Sequence, residues 1–292
     1  MPAKAWIDGA IVPLDEARVP VTDRGFLWGD HVFEIIRAEG RFLCDGDAHL
    51  ARLARSASLV RMAPPDLAVI ARAIAATVVA AAAGAPPSSA SVRIVWTRGD
   101  ARGLAPSTAG AGRLVITVEP LAATTVTSGV SLGIVHGARA SLVPAAAKSG
   151  NYLASVLALA AAADAGADDA LLVDAEGNVL ETATANLFVV DAAGVTTPSG
   201  ALLPGITAAR VAQLLGEAGH TIDTAPVSLE RARNATELFV TSARRGPVPV
   251  VALDGAPRET GAVTRAATVA YARWLERCAE GRDSPPLAYT EH

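Results

Sequence analysis

Two lysines, Lys4 and Lys148, stand against twenty-three arginines in a chain of 292 residues. Lys148 lies in the small, apolar stretch Val143-Pro-Ala-Ala-Ala-Lys-Ser-Gly-Asn-Tyr-Leu153. Arginine keeps its proton in a protein, whereas a lysine in a desolvated pocket can lose its charge and act as an amine nucleophile. The chemistry open to lysine and closed to arginine is a Schiff base with a carbonyl. A structural lysine retained by chance is the alternative for this residue taken alone.

Two further features would complement such an amine. Glu181 sits in Leu180-Glu-Thr-Ala-Thr-Ala-Asn186-Leu-Phe188, at the end of a strand pattern and before an uncharged stretch. A buried carboxylate needs a partner, and one beside a pyridine nitrogen would keep that nitrogen protonated. A solvated turn carboxylate is the plainer reading. Pro204-Gly205-Ile206-Thr207 opens a helix, whose free N–H groups and positive dipole end suit a phosphate. Arg52 could supply a charge-assisted partner to the same anion, or serve only as a surface cation.

The elements that must position these groups follow from the pattern. Trp6 to Val12 reads as a hairpin around Asp8-Gly9, and Val32 to Cys44 as a second around Glu39-Gly40. Asp45-Gly46-Asp47 is expected to cap a helix over 45–62, ended by Ala63-Pro64-Pro65, and Asp66 to cap another running to Gly84. Strands are predicted at Ser91 to Trp96 and Arg113 to Val118, flanking a loop with Arg98 and Arg102. The stretch 120–128 is the best linker. Beyond it come a strand at 130–135, a helix from Tyr152 to Ala165, a strand series to Val190, a helix after Gly205, strands at 238–241 and 248–253, and a closing helix from Glu259 to Cys278. Paired strands in the first half favour an α+β fold over a doubly wound parallel sheet. The expected division is a small domain over 1–119, a linker over 120–128, a larger domain over 129–281 carrying the lysine, and a tail over 282–292.

Composition limits the function classes. Apolar residues make up 51% and charged residues 18%, the formal net charge is −4, and no basic stripe is visible, which argues against nucleic acid as the main partner. Cys44 and Cys278 are far apart in sequence and five histidines are scattered, so neither a disulfide framework nor a metal site is expected. The N-terminus lacks the apolar core of a signal peptide and no run is long enough for a membrane span, so a cytoplasmic protein is expected.

The order Arg52, Lys148, Glu181, Leu203-Pro-Gly-Ile-Thr207, Thr241-Ser242 resembles the class IV (fold-type IV) pyridoxal-phosphate enzymes. Asp23-Arg24-Gly25, Gly29-Asp30, Val32-Phe33-Glu34, Asp47-Ala-His49-Leu-Ala-Arg52-Leu53 and Leu238-Phe-Val-Thr-Ser242 extend the likeness from about Trp6 to Leu275. That group holds branched-chain aminotransferases, D-amino-acid transaminases, (R)-amine transaminases and aminodeoxychorismate lyases. The resemblance implies a small N-terminal α/β domain, a larger C-terminal pseudo-barrel domain and a homodimer with the site near its interface, to which Trp28 and His31 could contribute. It implies that Lys148 holds pyridoxal 5'-phosphate through a Schiff base and shuttles the substrate proton. Glu181 would pair with the pyridine nitrogen, and Leu203 would pack on the ring. Arg52, the Ile206 and Thr207 amides and the Ser242–Ala243 segment would bind phosphate, and Tyr152 would hydrogen-bond the ring hydroxyl.

The choice within the family rests on fewer residues. Ile35 and Ile36 after Glu34 are closest to D-amino-acid transaminases, whereas branched-chain enzymes usually show glycine after Phe-Glu and lyases often threonine. Phe33 stands where those transaminases carry a substrate-binding tyrosine, and Arg98, Arg102, Arg244 or Arg245 could receive the substrate carboxylate or merely brace loops. The expected activity is amino transfer between an amino acid and a 2-oxo acid, with a D-amino acid favoured over a branched-chain L-amino acid. Aminodeoxychorismate lyase, giving 4-aminobenzoate and pyruvate, is the rival reaction, and a non-enzymatic binding protein the third reading.

Overall fold

The computed structural model describes residues 2–82, 89–100, 103–105, 112–121, 129–137 and 142–283. Arg102, linker positions 122–128, the end of the helix expected to reach Gly84 and the tail from 284 lie outside the described residues. The chain divides into two compact units: Met1–Ala123 with Ala147–Asn151 and Trp274–His292, and Thr124–Ala146 with Tyr152–Arg273.

The first unit holds β1 (Lys4–Ile7), β2 (Ala10–Pro13), α1 (Arg24–Trp28), β3 (His31–Glu39), β4 (Phe42–Leu43), α2 (Gly46–Leu59), α3 (Leu67–Ala82), β5 (Ser89–Thr97) and β6 (Arg113–Pro120). Asp8 and Gly9, both at positive φ, make the tight turn between β1 and β2 that the Asp-Gly pair predicts. The strands form an antiparallel sheet in the order β2-β1-β6-β5-β3-β4. Alternation splits each strand between two faces. Val32, Ile36, Val92, Ile94, Ile116 and Val118 point into a core closed by Leu53 and Ala57 of α2 and Ile70, Ile74 and Val78 of α3. Burying each large aliphatic side chain there stabilises by about 1.5–3 kcal/mol. The other face carries Phe33, Ile35 and Arg37, with Arg93 opposite Ile35. Asp66 caps α3 through Ala68 N and Val69 N. Asp45 departs from expectation: its φ is 53°, its side chain makes no cap bond, and the helix begins at Gly46.

Ala147–Asn151 belongs to this unit because β3 captures it. Val32 bridges Ser149, the Phe33 N–H donates to the Lys148 carbonyl (3.0 Å), and the Gly150 N–H donates to the His31 carbonyl (2.8 Å).

The second unit contains β7 (Val130–His136), α4 (Leu153–Asp164), β8 (Asp169–Val173), β9 (Asn178–Thr182), β10 (Asn186–Asp191), β11 (Gly194–Pro198), α5 (Ile206–Glu217), β12 (Ile222–Ala225), β13 (Val227–Ser228), α6 (Leu229–Asn234), β14 (Glu237–Ser242), β15 (Gly246–Leu253), β16 (Ala256–Pro257) and the start of α7 (Ala262–Ala279). Its mixed sheet runs β12-β11-β10-β14-β15-β7-β8-β9-β13. Parallel neighbours need a crossover. Helix α4 supplies it between β7 and β8, and α5 between β11 and β12.

The end of α7 brings together the two cysteines that the sequence keeps apart. Cys44 and Cys278 are both buried and free, and the hydrogen bond between the thiols, then burial, push the Cys44 thiol up.

Candidate active site

In the first unit the backbone of Lys148 is held from two sides. Its N–H donates to Ser56 Oγ of α2 (3.1 Å), and its carbonyl accepts from Phe33 of β3. The side chain, half-buried, places Nζ 4.5 Å from the centroid of the Phe33 ring. The Arg93 guanidinium lies over the same ring at 4.4 Å. One aromatic ring thus gathers the amine and a cation suited to an anionic substrate group. Gly150 is required here, since a Cβ would fall 1.9 Å from His31 Nε2. Burial and then the Arg93 charge keep the His31 imidazole below its ordinary pKa, favouring the neutral ring.

Arg52 is buried on α2 and grips Glu34 of β3 with Nε (2.7 Å to Oε1) and Nη2 (2.8 Å to Oε2). His49 Nδ1 reaches the same carboxylate at 2.8 Å. Burial pushes the Glu34 pKa up, but the hydrogen bonds from Arg52 and His49 outweigh it and hold it at about 2.

In the second unit Glu181 is buried on β9. It accepts from Asn186 Nδ2 and from the Leu203 N–H, each at 3.3 Å. Asn186 also donates to the Leu203 carbonyl (2.9 Å), and its Oδ1 would lie 1.8 Å from a Cβ at Gly205. One amide therefore ties the carboxylate to the turn that opens α5. Gly205 is the N-cap of that helix, and no side chain caps it, so Ile206 and the buried Thr207 stand at an amide-rich terminus. Thr241 pairs with Asn186 across β10 and β14; its Oγ1 is buried with no partner among the described residues. Ser242 and Ala243 follow at the end of β14, both half-buried, and Tyr152 is the N-cap of α4.

The arginines separate by geometry. Arg98 acts as a brace: Nε binds Asp30 (2.8 Å), Nη1 the Arg61 carbonyl (2.8 Å) and Nη2 the Val60 carbonyl (3.0 Å). Burial raises the Asp30 carboxyl, but Arg98 and Arg24 hold it below its ordinary range. Arg244 is exposed after β14. Trp28 is exposed, with Arg24 over its ring at 4.7 Å. Sequence reasoning gave no role to Glu34, His49, Ser56, Arg93 or Asn186. Glu34 carried a usable signal: a charge inside the apolar run Val32 to Ile36 must be buried with a partner.

Comparison with known proteins identifies the family of the chain. The family model for class IV amino-transferases matches residues 31–253. A Methanocaldococcus jannaschii protein, provisionally named a branched-chain-amino-acid aminotransferase, is 32% identical over 257 residues, 86% of this chain and 88% of its own. The D-alanine aminotransferase of Bacillus licheniformis is 27% identical (89% of this chain, 91% of the relative), and the aminodeoxychorismate lyase of Vibrio harveyi 28% (84% and 89%). The branched-chain amino acid aminotransferase of T.th., solved with N-(5'-phosphopyridoxyl)-L-glutamate, superposes with a TM-score of 0.84 at 28% identity, covering 97% of this chain and 95% of that one. The α+β architecture of this chain is that of the fold-type IV enzymes, and the chain belongs to the class IV aminotransferase family.

Proposed function

We propose that this protein is a pyridoxal-phosphate-dependent aminotransferase that moves an amino group between an amino acid and a 2-oxo acid, and that it works as a homodimer. The observation that carries the reading is Lys148, an amine on an aromatic face with its peptide held from both sides, in a chain of this family. The donor set fits the cofactor. It offers an amine, a buried carboxylate, a helix terminus that no side chain caps and a buried threonine hydroxyl with no partner among the described residues. When bound, pyridoxal phosphate supplies an aldehyde for amines and a ring that stabilises the carbanion left when the substrate Cα–H bond breaks.

The chain's own residues supply the rest. Lys148 anchors the cofactor and carries the proton on Nζ between donor and acceptor carbons. Glu181, oriented by Asn186, keeps a proton on the ring nitrogen, and Leu203 packs on the ring. Arg52, the Ile206 and Thr207 amides, Ser242 and Ala243 hold phosphate. Tyr152 serves the ring hydroxyl. Phe33 forms a wall of the substrate site, and Arg93 joins Arg102 and Arg244 as a receiver for a substrate carboxylate.

A D-amino acid is the favoured donor. Ile35 supports it, because its side chain shares a face with Phe33 and Arg93 and narrows the wall that a glycine would leave open. The same residue stands where lyases often carry threonine. The M. jannaschii relative favours a branched-chain L-amino acid as the second reading.

The test is the near-visible spectrum of the cofactor-loaded protein during separate additions of D-alanine and L-leucine. Loss of the band with D-alanine supports the reading, and loss with L-leucine alone transfers it to the branched-chain donor. A band unmoved by either, with pyruvate released from aminodeoxychorismate, replaces it by the lyase.

A further inference from the structure

Glu34 is a fully buried carboxylate on the strand that holds the Lys148 peptide, and no step assigned above uses it. Its side chain is wholly inaccessible, and both oxygens are engaged, Oε1 by Arg52 Nε and Oε2 by Arg52 Nη2 and His49 Nδ1. Burying an ion pair costs desolvation, and apolar residues of the same size often stabilise a core as well. Stability alone is therefore a poor account of this cluster.

Its geometry suggests a better one. His49, Arg52 and Ser56 recur at three and four residues, so they share one face of α2. That face meets β3 at Glu34 through the first two and holds the Lys148 N–H through the third. The neighbour of Glu34 on the strand, Phe33, holds the Lys148 carbonyl. A two-point grip on a planar guanidinium fixes its rotation, which a single hydrogen bond does not.

We propose that Glu34, seconded by His49, is a positioning residue that sets the plane of the Arg52 guanidinium for the cofactor phosphate. The proposal rests on the reading of Arg52 as a phosphate ligand. It separates Glu34 from a structural role, because a structural carboxylate would support all cofactor binding equally, whereas a guanidinium aimed at phosphate matters only to a ligand that carries one.

The experiment compares affinities of the full-length apoprotein for pyridoxal phosphate and for pyridoxal, followed by quenching of tryptophan fluorescence, with thermal melting as the check on folding. Glu34→Gln should weaken pyridoxal phosphate by about tenfold or more, the scale of a lost charged hydrogen bond, and leave pyridoxal little changed. Arg52→Gln should do the same, and the double variant should lose no more preference for phosphate than Arg52→Gln alone. Should Glu34→Gln fail to fold, Glu34→Asp carries the test, keeping the charge on a shorter arm. Equal weakening of both ligands in the Glu34 variant, or an unchanged preference for phosphate while Arg52→Gln loses it, overturns the proposal. An unchanged preference in Arg52→Gln itself removes the reading of Arg52, and the proposal falls with it.

Discussion

Lys148 and Glu34 sit on neighbouring backbone yet are held for different reasons. The lysine side chain rests on one ring face, half-buried, so its removal costs the fold little: Lys148→Ala should change stability by no more than about 1 kcal/mol. It should abolish the near-visible cofactor band and the turnover. A band retained in that variant would disprove the anchor. Glu34 is the reverse case. Its folded pKa of about 2 lies below the ordinary 4.5, so its ionised form stabilises the fold above the unfolded value. That contribution fades as pH falls through the window between them. Urea midpoints between pH 4.5 and 2 should drop more steeply for the wild type than for Glu34→Gln. At neutral pH the variant should already be weaker by about 3 kcal/mol, the scale of a broken buried pair. Parallel acid profiles would show that the carboxylate is not ionised in the fold.

Elements with a strong period were legible in the sequence, and those defined by distant pairing were not. The apolar spacing of α2 and the alternation of β3 and β5 announce themselves locally. Strand β11, Gly194–Pro198, has no such run and exists because β10 and β12 flank it; the five-residue α1 is too short for a period. The site divides the same way. Lys148, Glu181 and the opening of α5 are carried by residue type and local pattern. The grip of Arg52 on Glu34 and the tie from Asn186 to Leu203 depend on which strand meets which helix, and no short window contains that. Helix α5 offers a paired check. Gly205→Ala would drive a Cβ into Asn186 Oδ1, displacing the amide from Leu203 and Glu181, and should cost about 1–3 kcal/mol along with cofactor affinity. Gly216→Ala meets nothing within 4 Å in the same helix and should stabilise by about 0.5–1 kcal/mol. Equal melting temperatures for the two variants would refute the role given to Gly205.

At the scale of the molecule, each unit leaves apolar surface in water that its own core does not need. On α4, Leu153, Val156 and Leu157 are 66%, 55% and 62% exposed and fall at helical spacing on one stripe. On α1, Phe26 and Leu27 are 69% and 45% exposed, and Trp28 adjoins them. A single exposed leucine is ordinary, but a contiguous stripe marks a surface that a partner covers. A second copy of this chain is the partner that the homodimer reading supplies, and a stable interface of that kind covers about 800 Å² on each side. Sedimentation of the wild type at micromolar concentration should show a dimer. Leu157→Glu places a charge where the stripe would be dry, on a helix that tolerates glutamate, so it should yield a folded monomer with lower turnover. A dimer that survives Leu157→Glu would move the interface off α4, and a monomeric wild type would remove the homodimer from the proposed function while leaving Lys148 untouched.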